Sequence, residues 1–95
     1  MPYRYPFANA SHDLKSQVWW KGTQSQQNDP KVWMQDKCGL FMKWSEHGNR
    51  DSEHGWEIDH IYPQALGGSD DLSNLQPLNW KNNAAKGDST TWKCP

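Results

Sequence analysis

No apolar run in this 95-residue chain approaches the ~18 residues of a membrane-spanning helix, which excludes a transmembrane helix. Hydrophobic residues are scarce overall, at 34% with a mean hydropathy of -1.12, so something besides aliphatic burial must help close a core. Cysteine is nearly absent: Cys38 and Cys94 cannot by themselves make a four-ligand metal cage. The opening MPYRYPFANASHDLK lacks the apolar centre of a secretory leader. The expectation is therefore a cytoplasmic chain with no membrane partner, its two cysteines held as thiols in preference to the alternative of a disulfide between them. Nor does either charge dominate. A net charge of -1 and an isoelectric point near 6.4 argue against a broad, non-specific grip on nucleic acid.

What the chain does hold is tryptophan, seven residues of it, and Trp packing is the expected source of the missing core. Its charges are also unevenly spread. Between Ser45 and Asp59 stand Glu46, Asp51, Glu53, Glu57 and Asp59 against Arg50 alone, whereas Asn79 to Pro95 carries Lys81, Lys86 and Lys93 against Asp88. An acidic pole beside a basic tail suits a metal site next to a phosphate-binding face.

The length allows one domain, residues 1–95, with an N-terminal extension over 1–36 and the chemistry concentrated in 56–88. Residues 1–16 show no clear period. A short helix is expected over Ser16–Lys21, a polar loop from Gly22 to Pro30, and a helical turn over Lys31–Met34. Cys38–Trp44 has strand-like content. Trp56–Tyr62 (WEIDHIY) is the clearest strand, closed by Pro63, and Leu75–Leu78 is a second one, which Pro77 confines to an edge or end. Between them lies a loop marked by Gly67-Gly68. Trp80–Lys86 reads as a helix with Asn79 as its N-cap and Gly87 as its stop. The result is an α+β chain whose second half runs strand, loop, strand, helix.

Asp59 and His60 place a hard carboxylate ligand beside the one side chain that titrates near neutrality. In a regular strand they point to opposite faces, so they can serve one site only where the pleat ends, and Pro63 supplies that end. On the helix, Asn79, Asn83 and Lys86 share a face. If that face packs over the strands, Asn83 brings a neutral oxygen ligand towards Asp59. One carboxylate with one amide oxygen favours Mg2+ or Mn2+ over a closed zinc site.

These residues resemble a known pattern. Asp59-His60-Ile61-x-Pro63, Gly67-Gly68-Ser69-Asp70, Asn74-Leu75-Gln76-Pro77-Leu78 and Asn83-x-x-Lys86, in that order, resemble the HNH endonucleases in their H-N-N variant, with His60, Asn74 and Asn83 at the signature positions. The resemblance implies a ββα-metal (His-Me finger) core that cuts DNA, double-stranded above all, at its phosphodiester bonds. It makes His60 the general base, Asp59 and Asn83 the ligands of one Mg2+ or Mn2+, and Asn74 the residue that fixes the loop and orients His60. Lys86 and Lys81 become phosphate contacts, and a partner subunit that supplies sequence specificity is compatible with the modest basic face. Many relatives also carry two Cys-x-x-Cys pairs around a structural zinc. Here the matching positions are Cys38, Phe41, Asn79 and Asn82, so no structural zinc is expected and tryptophans are expected to take over its scaffolding role.

The alternative function is a nucleic-acid-binding module that keeps the fold without turnover. Plainer roles are expected for the remaining polar residues. Glu57, which alternates with Asp59 on its strand, is a candidate to reach the metal through water, with surface charge the favoured reading. Asn82 is expected to be solvent-facing or bonded to the helix end, and His12, His47 and His54 solvated loop residues.

Overall fold

In the computed structural model, which describes residues 3–95, the chain runs through helix α1 (His12–Trp19), strands β1 (Trp33–Gln35), β2 (Phe41–Lys43), β3 (Trp56–His60) and β4 (Leu75–Asn79), and helix α2 (Trp80–Lys86). Among the described residues these make an α+β fold of two helices and two small antiparallel sheets, β1–β2 and β3–β4. Pro77 pairs with Ile58, and because β4 has β3 as its one neighbour, the donor that proline lacks is not missed. No helix among the described residues is long and apolar enough to cross a membrane.

The strand-loop-strand-helix order expected for the second half is present, with β3 ending two residues sooner than expected. Asn79 caps α2 by accepting from Lys81 N at 2.9 Å, and Gly87 (φ 52°) ends it. The first half departs further from expectation. The helix expected over Ser16–Lys21 begins at His12, because Ser11 takes extended angles and its hydroxyl accepts from Leu14 N at 3.1 Å. The helical turn expected over Lys31–Met34 is a turn followed by β1. Asp29 Oδ1 accepts from Lys31 N, and Trp33–Gln35 then pair with Phe41–Lys43, a tertiary gain that local propensity does not foresee.

The core is built on aromatic rings. Trp19, Trp44 and Trp56 form a triangle with centroids 5.5 Å (Trp19–Trp44), 5.1 Å (Trp19–Trp56) and 5.7 Å (Trp44–Trp56) apart. Each such pair is worth about 0.5–1.5 kcal/mol beyond the area it buries. Their buried N–H groups are satisfied, Trp19 Nε1 donating to Pro30 O and Trp56 Nε1 to Trp44 O. Phe7, Val18, Met34, Met42, Ile58 and Leu75 complete the cluster.

His47 is part of this packing and not a solvated loop residue. Ile58 N donates to the Tyr5 hydroxyl at 2.6 Å, which leaves that hydroxyl's own proton for His47 Nε2 at 2.9 Å. The imidazole must be neutral to accept it. Burial, with Lys15 adding repulsion and Glu57 opposing, pushes the His47 pKa down to about 4. An unfolded histidine takes up its proton near 6.5, so the stabilisation from neutral His47 is complete above that pH and is lost as the pH falls towards about 4. Melting temperature is therefore expected to drop through this window, and the drop should shrink in His47→Gln, which keeps an acceptor but cannot titrate. Equal slopes in the two proteins would assign the acid sensitivity elsewhere. Of the other two histidines, His54 is half-buried with its ring edge-on to Trp33, and His12 is exposed beside Trp44.

The four positions compared above with paired cysteines are occupied by a polar knot and a covalent link. Asp36 is 1% exposed, and its Oδ1 accepts from Cys38 N and Leu40 N, its Oδ2 from Asn79 N and Asn82 Nδ2, all at 2.9–3.0 Å. Asn82 is thus buried within the fold, contrary to the solvent-facing role expected of it, because α2 lies against the β1–β2 turn. Asn79 Nδ2 adds bonds to Phe41 O and Glu53 O. Cys38 and Cys94, expected as thiols, form a disulfide, with their Cα atoms 5.4 Å apart. The tail after α2 returns to the Asp36 turn, where the Lys37 ammonium stands over the Trp92 ring at 5.7 Å and the two cysteines meet. Compartment reasoning predicts the redox surroundings of a thiol; it says nothing of whether the backbone brings two thiols together.

Candidate active site

The end of β3 meets the last turn of α2 at a cavity of about 510 Å³, walled by Asp59, His60, Asn83, Tyr3, Arg4 and Arg50 among others. Asp59 and His60 share it although they are adjacent in a strand, because β3 stops at His60 and the chain bends. Asn83 arrives from the middle of the facing helix. Asn74, Lys86 and Lys81 lie outside the cavity wall.

Asp59 is 6% exposed. Its Oδ2 accepts from Gln76 Nε2, its cross-strand partner, at 2.8 Å, and its Oδ1 from Lys86 Nζ at 3.2 Å. Burial raises its pKa above the usual carboxylate range, while the Gln76 bond, the Lys86 charge and bond, and His60 pull it back. Lys86, expected to face a phosphate, is itself 6% exposed and also donates to His60 O at 2.9 Å. It neutralises a carboxylate that burial would otherwise leave uncompensated. Lys81 sits on the outer side of α2, its ammonium 3.8 Å from Glu53 Oε1.

His60 Nε2 donates to Asp70 Oδ1 at 2.6 Å, since a carboxylate can only accept, and the ring lies 5.1 Å from that of Phe7. Asp70 comes from the loop between the strands, and Asn74 shapes that loop. The Asn74 side chain accepts from Tyr62 N at 2.8 Å and donates to Tyr62 O and Ser69 O at 3.1 and 2.8 Å, while its backbone carbonyl accepts from Ile61 N. The loop closes tightly at Gly68, where an added Cβ would stand 1.8 Å from Tyr62 O.

Glu57, expected as surface charge, is 1% exposed, because every residue of β3 is buried. Arg50 grips it with a two-pronged bond, Nη2 to Oε1 at 2.8 Å and Nε to Oε2 at 2.9 Å, and Asn83 Nδ2 donates to Oε1 at 2.7 Å. The Arg50 guanidinium lies 4.4 Å from the Tyr3 ring and 5.7 Å from that of Trp80. Tyr3, whose hydroxyl stands by the Asn83 side chain, has its pKa raised, by burial first and by Glu57 next.

Sequence reasoning thus brings Asp59, His60 and Asn83 to one place but misses Asp70, Arg50, Arg4 and the burial of Glu57. Asp70 belongs to the quoted Gly67-Gly68-Ser69-Asp70 motif without a role being given to it. Glu57 shares a strand face with Asp59, which was the available signal. Nothing in the sequence singles out Arg50 or Arg4.

For a divalent cation the donor chemistry fits. Asp59 offers a carboxylate oxygen and Asn83 an amide oxygen, both hard donors. Among the described residues no group of three or more His, Cys, Asp or Glu could hold a metal, so these donors suit an ion that keeps much of its water. The family model described as HNH endonuclease matches residues 37–89, more than half of the chain. Comparison with curated proteins and with solved structures finds no match.

Proposed function

The chain belongs to the HNH endonuclease family, and from that premise we propose that it is a divalent-metal-dependent nuclease hydrolysing phosphodiester bonds in DNA, double-stranded DNA above all. The observation that carries this reading is the convergence of Asp59, His60 and Asn83 on one cavity. In the proposed mechanism His60 is the general base. Asp70 holds its Nε2–H, which leaves Nδ1 as the basic nitrogen and gives the ring one orientation. Asn74 is a positioning residue that keeps the Asp70-bearing loop closed over His60. Asp59 and Asn83 would hold one Mg2+ or Mn2+, as the ββα-metal reading of the strand-loop-strand-helix unit proposes. That ion, when bound, stabilises negative charge at the scissile phosphate and on the leaving 3′ oxygen. The products carry 5′-phosphate and 3′-hydroxyl ends.

Lys81 is a proposed phosphate contact, and Arg4 and Arg50 join it on the strength of their place in the cavity wall. Lys86, buried against Asp59, is not one. This modest basic face leaves sequence specificity to a partner subunit. Conversion of supercoiled plasmid to nicked or linear forms in Mg2+, abolished by EDTA, is the expected result, with linear, single-stranded and RNA substrates run alongside. Cleavage that EDTA leaves intact would remove the metal from the mechanism. DNA binding without cleavage in Mg2+ or Mn2+ would replace the nuclease by a binding module.

A further inference from the structure

An asparagine amide can serve a cation only if its oxygen, and not its NH2 group, faces the ion. The two ends are nearly equal in size, so packing alone chooses between them poorly. In this chain the choice is made by charge. Both Glu57 oxygens accept from the Arg50 fork, Oε1 from Nη2 and Oε2 from Nε, so Oε1 stands as an acceptor towards Asn83. Asn83 therefore has to turn its NH2 group to Glu57 Oε1, at 2.7 Å, and its carbonyl oxygen is the end left for the cavity that it shares with Asp59.

We propose that Glu57, clamped by Arg50, is a positioning residue that locks the Asn83 amide with its oxygen towards the metal. This rests on Asn83 being a ligand, as in the function proposed above. Glu57 is 1% exposed and on the same strand face as Asp59, so the sequence Glu57-Ile58-Asp59 supplies both a ligand and the device that aims the second ligand. Arg50 has a second effect. It cancels the Glu57 charge, so that the buried carboxylate orients the amide without itself competing for the cation.

The substitution Glu57→Gln separates orientation from packing. A glutamine there can set either its oxygen or its NH2 group opposite Asn83, so the amide is no longer held with its oxygen towards the cavity. Mn2+ binding to the DNA-free protein, followed by electron paramagnetic resonance of free Mn2+, is expected to weaken about 10–100-fold, the usual effect of removing a group that orients a ligand. Combining Glu57→Gln with Asn83→Asp exchanges the carboxylate and the amide at unchanged net charge. This double variant, which also guards against a single variant that fails to fold, is expected to bind Mn2+ at least as tightly as the parent. Parent-like binding by folded Glu57→Gln overturns the proposal, as does weaker binding by the folded double variant. If the parent chain itself binds no Mn2+, the metal-dependent reading fails and the positioning role goes with it.

Discussion

Replacing His60 with alanine is expected to lower plasmid nicking in Mg2+ by about 10²–10⁴-fold, the span that general-base catalysis covers. The expectation follows from the arrangement of the ring. One nitrogen is tied to Asp70, one face lies on Phe7, and the side chain borders the cavity that also holds Asp59 and Asn83. Alanine removes the proton acceptor without touching either proposed metal ligand. The fold should survive. His60 closes the end of β3 and meets the core at Phe7, which keeps its other neighbours, and Asp70 is 68% exposed and so able to regain water. Circular dichroism melts and Mn2+ binding should stay near the parent values while cleavage collapses. A variant that cuts as fast as the parent would show that another group activates water.

The second large effect concerns the covalent link. Cys38 and Cys94 lie 56 residues apart in sequence, and a cross-link closing a loop of that size stabilises a fold by about 4 kcal/mol through its constraint on the unfolded chain. In a domain of this length that amounts to a fall in melting temperature of roughly 20 °C on reduction. Thermal melts with and without dithiothreitol, and of the Cys38→Ser, Cys94→Ser double variant, measure it. A shift of only ~2 °C, too small for that loop entropy, would mean that the tail is loosely tethered and that the Asp36 knot holds α2 by itself. A disulfide is at home in an oxidising compartment, unlike the cytoplasm expected from the sequence.

Much of the second half of the fold is legible because its signals are local. The β-branched and aromatic run at Trp56–His60, the Asn79 cap and the Gly87 stop each act over a few residues, and the spacing of Asp59, His60, Asn74 and Asn83 follows from them. What escapes the sequence depends on partners that meet only after folding. Arg50 has no period that points to Glu57, and Tyr5 is 53 residues from the Ile58 amide that it accepts from. The disulfide depends on where a tail returns, and β1 depends on a partner strand rather than on its own three residues. Lys86 is placed on the right face of its helix by spacing. Its burial against Asp59, however, is decided by how closely α2 packs on the strand end. Polar residues that look like surface in a line of letters are the ones most often misjudged here, because this chain satisfies buried charge with buried charge.

The contacts of Tyr5 with Ile58 and of Phe7 with His60 bear on how such a chain can be shuffled. The motif segment 56–88 leans on side chains contributed some fifty positions upstream. It is therefore not a portable cassette. A recombination breakpoint between the two would part the histidine ring from the surface beneath it, so an exchange that preserves the chemistry has to carry the N-terminal arm along with the motif.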